Sequence, residues 1–297
     1  MGIAKKIKYA AIGIGGAVVL LGGWGLVEPR VLNAEEETAK IPNLPTVWKG
    51  QQIVQLSDFQ IGMWWGNPGT ARRSIQQAIE INPAAVLISG DFIYHAEPNP
   101  AAEIEQAVSI VKPLVEAGIP TYAVLGNHDY GMSSKKAEPG AQLASSLESE
   151  LEAAGVIVLE NESIAMQRPD SSNPLYLAAV DSRWADQDDV DAALAGIPED
   201  SPRVALMHNP DTFERFPANA APLALAGHTH GGQMRLPNSP QWSWLRFTQS
   251  DKVYADGWAK GYGEPGNNLY VNVGIGMSII PIRIFCPPEI TIFTLER

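Results

Sequence analysis

YAVLGNHD, residues 122–129, is the stretch on which the fold turns: an apolar run reaches Gly126 and then presents Asn127, His128 and Asp129 in succession. The same grammar recurs in IVQLSD (53–58), AAVLISGD (84–91), VALMH (204–208) and PLALAGHTH (222–230). Short apolar runs separated by helix-like stretches read as the buried strands of α/β units. In such sheets the carboxyl ends of the strands form the usual ligand crevice. Asp58, Asp91, Asn127, His208, His228 and His230 are therefore expected to meet there, although they are scattered over more than half of the chain.

The residue types say what would meet. Of the five histidines in the chain, four (His128, His208, His228 and His230) lie in these stretches. Packing does not concentrate imidazoles in this way, whereas a metal centre does. Taken singly, Asp58 and Asp91 read as turn caps after strands; taken with the histidines, they read as ligands. Carboxylate, imidazole and amide donors together suit divalent ions such as Mn, Fe, Co or Zn. The set contains no thiolate, which excludes a Cys-type structural zinc site. The fifth histidine, His95 in IYHAEPNP, reads as a surface-loop residue.

In order and spacing these motifs resemble the calcineurin-like metallophosphoesterase superfamily, whose pattern runs D-x-H, GD, GNH(D/E), H, GH-x-H; the resemblance extends from about Ile53 to the C-terminus. It implies a four-layer α/β/β/α sandwich of two mixed β-sheets, with the site at one edge. It also implies hydrolysis of a phosphate ester by hydroxide activated at two divalent metal ions (Mn, Fe or Zn). On this resemblance the first ion takes Asp58, Asp91 and His230, and the second takes Asp91, Asn127, His208 and His228. Asp91 would bridge ions roughly 3.5–4 Å apart. His128 is the non-ligand histidine placed to protonate the leaving oxygen, with Asp129 holding its orientation.

One residue departs from the pattern. Gln60, in Asp58-Phe59-Gln60, stands where the first motif has its histidine. A neutral amide oxygen replaces an imidazole nitrogen, so weaker binding of the first ion is expected. Activity is expected to survive the change; the reading from another class is a degenerate, non-catalytic metal-binding homologue. EPRVL (28–32), LPTVWKGQQIVQLSD (44–58) and NVGIGMSIIPIRIFCPPEITIFTL (272–295) also resemble the membrane-anchored branch of the superfamily. That branch implies a phosphodiesterase, or a pyrophosphatase of a UDP-linked lipid precursor of the UDP-diacylglucosamine type.

Composition narrows the partners. With 297 residues, 45% of them apolar, the chain suits one large α/β domain after an N-terminal segment. A net charge of −12 disfavours nucleic acid, which is held mainly through cationic contacts to phosphates. The expected partners are a phosphate-ester substrate, lipid-linked among the options, and a membrane. Residues 1–30 carry the membrane expectation: Lys5, Lys6 and Lys8 precede an uncharged stretch from Tyr9 to Val27. At 1.5 Å per residue that stretch reaches about 28 Å, close to the thickness of a bilayer core. The readings are an uncleaved anchor, a cleaved secretion signal, or a buried hairpin of the fold. The lysines place the catalytic domain outside the cytoplasm. Residues 31–49, with EEE and scattered prolines, read as a solvated linker, and 50–297 as the catalytic domain. Cys286 is the lone cysteine and forms no intrachain disulfide.

Helices are expected over 70–81, 101–117 and 141–154, where apolar spacing is helical and Pro83, Gly118 and Gly155 supply stops. Past His230 the pattern turns to short strands, expected to build the second sheet. Trp64-Trp65 read as packing, Asp181 and Arg183 as structural, and Arg283 as the partner of a carboxylate.

Overall fold

Each apolar run becomes a short strand that stops where its polar residue begins. The computed structural model describes residues 3–94, 99–169, 171–237, 239–245 and 254–297; His95 lies outside them. In chain order its first half comprises α1 (Ile3–Val27), β1 (Asn33–Lys40), β2 (Gln52–Leu56), α2 (Pro68–Ile81), β3 (Ala85–Ile88), α3 (Pro100–Glu116), β4 (Thr121–Ala123), α4 (Ala141–Ala153) and β5 (Ile157–Val158). There follow β6 (Glu162–Met166), β7 (Leu175–Val180), α5 (Val190–Ala195), β8 (Arg203–Met207), β9 (Ala224–Ala226), β10 (Arg235–Leu236), β11 (Ser239–Ser243), β12 (Gly257–Trp258), β13 (Leu269–Val271) and β14 (Glu289–Glu296). The three long helices after α1 match the expected spans closely. α2 ends at Asn82, whose left-handed φ of 51° supplies the cap that lets the chain turn before Pro83.

Two six-stranded sheets result, in the orders β1-β14-β2-β3-β4-β5 and β12-β13-β9-β8-β7-β6. Both are mixed: β2, β3, β4 and β5 run parallel while β14 opposes β2, and β7, β8, β9 and β13 run parallel between antiparallel edges. Alternation along each strand divides the core into layers. Val54, Leu56, Val86 and Ile88 face α2, α3 and α4 through Ile75, Ile110 and Leu147. Ile53, Leu87 and Phe293 on the opposite face meet Leu177, Leu206 and Tyr270 of the second sheet. Beyond that sheet, Val180, Ala205 and Met207 pack on Val190, Phe213 and Phe216. Helices, sheet, sheet and helix give the four layers.

Three expectations need correction. Residues 31–49 are not a solvated linker: β1 pairs in parallel with β14 over eight residues, and Ile41, Leu44 and Trp48 are buried. Seven of the eight β1 side chains escape full burial, so an edge strand held by backbone hydrogen bonds carried no apolar signal. The second sheet does not await the C-terminal third, since β6, β7, β8 and β9 precede His230, while β14 returns to the first sheet. Trp64 and Trp65 are not packed; they are 57% and 65% exposed.

α1 is helical from Ile3 and joins the domain at its C-terminal end. There Arg283 N donates to Gly25 O at 3.0 Å, and the buried Glu28 carboxylate accepts the backbone N–H groups of Phe285 and Cys286. Among the described residues no helix is long and apolar enough to cross a membrane.

Candidate metal centre

The strands deliver their polar ends to one edge, and the backbone there is strained. Asp58, Gln60, Asp91, His228 and His230 all hold positive φ, from 50° to 71°. Non-glycine residues in this region cost on the order of 1–3 kcal/mol each and persist where the surroundings over-determine them. The turn that brings His228 and His230 together therefore begins at His228 itself, ahead of Gly231-Gly232. Two motif glycines make room for the carboxylates. A methyl on Gly126 would collide with Asp91 Oδ1, and one on Gly227 would collide with Ser57 and Asp58.

On one side of the centre, His208 Nε2 lies 3.3 Å from Asp91 Oδ2, 3.1 Å from Asn127 Oδ1 and 3.2 Å from His228 Nδ1. His208 Nδ1 is 2.7 Å from the carbonyl of Ser89, which can only accept, so the proton sits on Nδ1 and the Nε2 lone pair faces the centre. Asn127 is oriented in the same manner, its Nδ2 donating to Met132 O at 2.7 Å. The other side holds Asp58, whose Oδ1 is 3.4 Å from His230 Nε2, and Gln60, whose Nε2 donates to Asp91 Oδ2 at 2.7 Å and stands 3.3 Å from His230 Nε2. Asp91 is common to both sides. Asp91, His208 and His228 form one cluster of ligand atoms, and Asp58, Asp91 and His230 form another.

These buried lone pairs fit divalent cations. Asn127 Oδ1, Asp91 Oδ2 and two imidazole nitrogens converge, and Gln60 Nε2 donates to Asp91 Oδ2 from the other side. Burial disfavours charge on His208, yet Asp91 and then Asp58 push it up to about 9. Burial alone would raise Asp91, but the facing His208 and His128 hold it well below the ordinary carboxylate range. Burial pushes Asp58 up to about 7, with Asp91 adding to the shift against His208. Burial, and next the charge of Arg283, pull His230 down to about 3, and His228 falls well below its usual value through burial and its neighbour His208. A third sign is Gln60 Oε1, buried with no hydrogen-bond partner among the described residues.

His128 stands beside these residues. Its backbone N–H donates to Asp91 Oδ1 at 2.9 Å, and its ring stacks on Tyr94 with centroids 5.0 Å apart. Nδ1 lies 2.6 Å from the Tyr94 carbonyl, so it carries a proton and leaves Nε2 as the working atom. Asp129 does not hold this ring, contrary to the expectation. Its carboxylate accepts backbone N–H groups from Asp91, Phe92, Ile93 and Gly126 at 2.8–3.1 Å, tying the loops after β3 and β4 together. Burial pushes its carboxyl up to about 8, with Asp91 adding to the shift, against the pull of these donors.

Among the described residues Arg283 pairs with no carboxylate, contrary to the expectation. It is fully buried and donates to the carbonyls of Val273, Gly274, Gly276 and Cys286, clamping the loop that touches Asp58. Asp181 is structural, as expected, accepting from Tyr130 Oη. Sequence reasoning passed over two residues. Gln55 donates to Ser89 Oγ and Ala226 O, both at 2.9 Å, joining the two sheets beneath the site. Asn209 Oδ1 accepts the backbone N–H of Arg183 at 3.0 Å, fixing the loop on which Trp184 meets His228 edge-on. The available signals were a glutamine inside the apolar run IVQLSD and the asparagine of MHNPD.

The calcineurin-like phosphoesterase family profile matches residues 52–232, more than half of the chain. The chain belongs to that family. As a calcineurin-like phosphoesterase it is a hydrolase of phosphoric ester bonds. It is similar to the metallophosphoesterase YkuE of Bacillus subtilis, with 29% identity over 95% of this chain and 92% of that one. Similarity to the phosphodiesterase YaeI of Escherichia coli is 30% identity over 75% of this chain and 74% of the relative. The UDP-2,3-diacylglucosamine pyrophosphatase LpxG of Chlamydia trachomatis is 24% identical over 89% of each chain.

Proposed function

We propose that this chain hydrolyses a phosphodiester close to a membrane. The observation that carries the reading is the convergence on His208 Nε2, where carboxylate, amide and imidazole lone pairs face one another with no hydroxyl or thiol among them. Asp58, Gln60, Asp91 and His230 would hold one divalent ion, and Asp91, Asn127, His208 and His228 the other. When bound, such ions neutralise phosphoryl charge and lower the pKa of water toward about 7. The chain's own contributions follow from its geometry. His128 gives the proton at Nε2 to the leaving oxygen, and its Nδ1–H bond to the Tyr94 carbonyl is kept in both protonation states. Asp129 keeps Asp91 and the His128 backbone in register by gathering the amides of both loops.

The test uses the full chain, a chromogenic phosphodiester and its monoester, with and without Mn, Fe or Zn. Cation-dependent cleavage of the diester is expected. His128→Ala should retain cation binding while turnover falls about 10²–10⁴-fold. Equal loss of cation and turnover would remove His128 from its role.

A second reading has its own observation. Trp64 Nε1 donates to Ile279 O at 3.1 Å, and Ile279 N donates to the hydroxyl of Tyr94, whose ring covers His128. Exposed Trp64, Trp65 and Ile279 thus border the site, which suits an amphiphilic diphosphate such as a UDP-linked lipid. The N-terminal residues, with Lys5, Lys6 and Lys8, would tether the chain to the membrane with its domain outside, whereas UDP-linked precursors are cytoplasmic. Locating the domain by protease accessibility in intact cells separates the two substrates.

A further inference from the structure

We infer that Gln60 makes the two cation positions unequal: the position among Asp91, Asn127, His208 and His228 retains its ion, and the one among Asp58, Asp91 and His230 exchanges. The inference rests on the dinuclear reading above and concerns what this chain does with it.

A carboxylate oxygen at 2.7 Å requires a donor, so the amide nitrogen of Gln60, and not its oxygen, faces Asp91. That nitrogen also lies 3.3 Å from His230 Nε2, so the amide spans two of the atoms an ion there would use. Its donor end occupies the place of positive charge. The acceptor end is the buried Oε1, which has no partner among the described residues.

An ion entering this position meets one of two states. If the amide turns over to present Oε1, the bond to Asp91 breaks and the NH₂ group enters the spot where Oε1 now finds no partner. If the amide stays, its N–H groups point at the cation and the ion is one ligand short. A histidine ring at this position offers a lone pair without that choice. Nor can Gln60 withdraw. It is buried, its φ is 52°, and its Cβ packs so close to Gly276 that a methyl there would stand 2.7 Å away.

Support behind the ligands is unequal in the same sense. His208 and Asn127 are each held from behind, by the Ser89 and Met132 carbonyls at 2.7 Å. His230 Nδ1 is buried with no partner at all among the described residues. Partners of this kind typically change metal affinity about 10–100-fold when removed. The amide and the unsupported ring therefore weaken the same position. Turnover should then track free divalent cation while one ion never leaves.

The test loads the full chain with Mn(II), passes it through gel filtration in buffer free of chelator and of added metal, and counts manganese by elemental analysis. The EPR signal then distinguishes isolated from exchange-coupled ions. Wild type should keep one ion with an isolated signal, and take the second only with at least about tenfold weaker affinity. Gln60→His should keep two coupled ions. Gln60→Glu, which offers a charged oxygen at the same reach, gives the same reading should the histidine variant fail to fold. Two retained, coupled ions in wild type would overturn the inference, as would retention unchanged in both variants. Manganese absent from wild type and both variants would overturn the dinuclear reading itself, an outcome distinct from the others.

Discussion

The two sides of the metal centre are built from the same residue types and differ in what stands behind them. Residues on both sides follow parallel strands, Asp58 following β2, but on the His208 side His208 and Asn127 spend their far polar atoms on backbone carbonyls. On the Asp58 side the ligands sit in a layered loop structure. Asp58 N–H donates to Gly90 O, Gly276 N–H donates to Asp58 O, and Arg283 holds the 273–286 loop from beneath. Gln60 Oε1 and His230 Nδ1 have no partners there among the described residues. Side chains bonded from behind give a preformed half, whereas a half that depends on a clamped loop can be loosened by itself.

Asp91 belongs to both halves, so its removal offers the largest test. Asp91→Ala should abolish retention of both cations and reduce turnover to background, read by elemental analysis and diester hydrolysis. Survival of either ion would mean that the halves are separate sites. Arg283→Met should act on one half. Leaving the buried carbonyls of Val273, Gly276 and Cys286 without Arg283 costs roughly 1–3 kcal/mol per group, so a loss of at least about 3 kcal/mol is expected in urea unfolding. The folded fraction should keep the His208-side ion and lose the other. Equal loss from both sides would erase the proposed difference in rigidity.

The smallest expected effect is a slope. Glu289 lies under the Asp58 side, accepting from Tyr270 Oη at 3.1 Å, Asn272 Nδ2 at 3.2 Å and Thr291 Oγ1 at 2.7 Å. Asn272 in turn accepts the N–H of Gly274, which packs on Asp58. Burial pushes the Glu289 carboxyl from 4.5 up to about 7. Between those values the native chain keeps a proton that the unfolded chain has released. Its contribution to stability therefore falls as pH rises through that window, by at most about 1.4 kcal/mol per pH unit. Glu289→Gln should flatten this component, so the stability difference between variant and wild type should grow in the variant's favour from pH 4.5 to 7. A difference independent of pH would show that Glu289 titrates normally in its pocket.

By itself the sequence determined the strand ends and their ligands. An apolar run that stops at Asp, Asn or His beside a glycine needs only local chemistry to be read, and Asp58, Asp91, His208, His228 and His230 do come together in clusters that could hold a metal ion. The helices from α2 to α4 were legible for the same reason, their apolar spacing and stop signals being local. Tertiary structure alone decided features whose partners are backbone groups far along the chain. β1 is an edge strand because β14 pairs with it some 250 residues later, and its polar side chains give no hint of that. Asp129 gathers amides from two loops instead of orienting His128, and Arg283 clamps carbonyls instead of meeting a charge. A carbonyl or an amide proton is present at every such position whatever the side chain, so no residue code marks which will be recruited. The left-handed backbone at five site residues is of the same kind. Those conformations are held by the packing of the loops, and only the assembled fold supplies it.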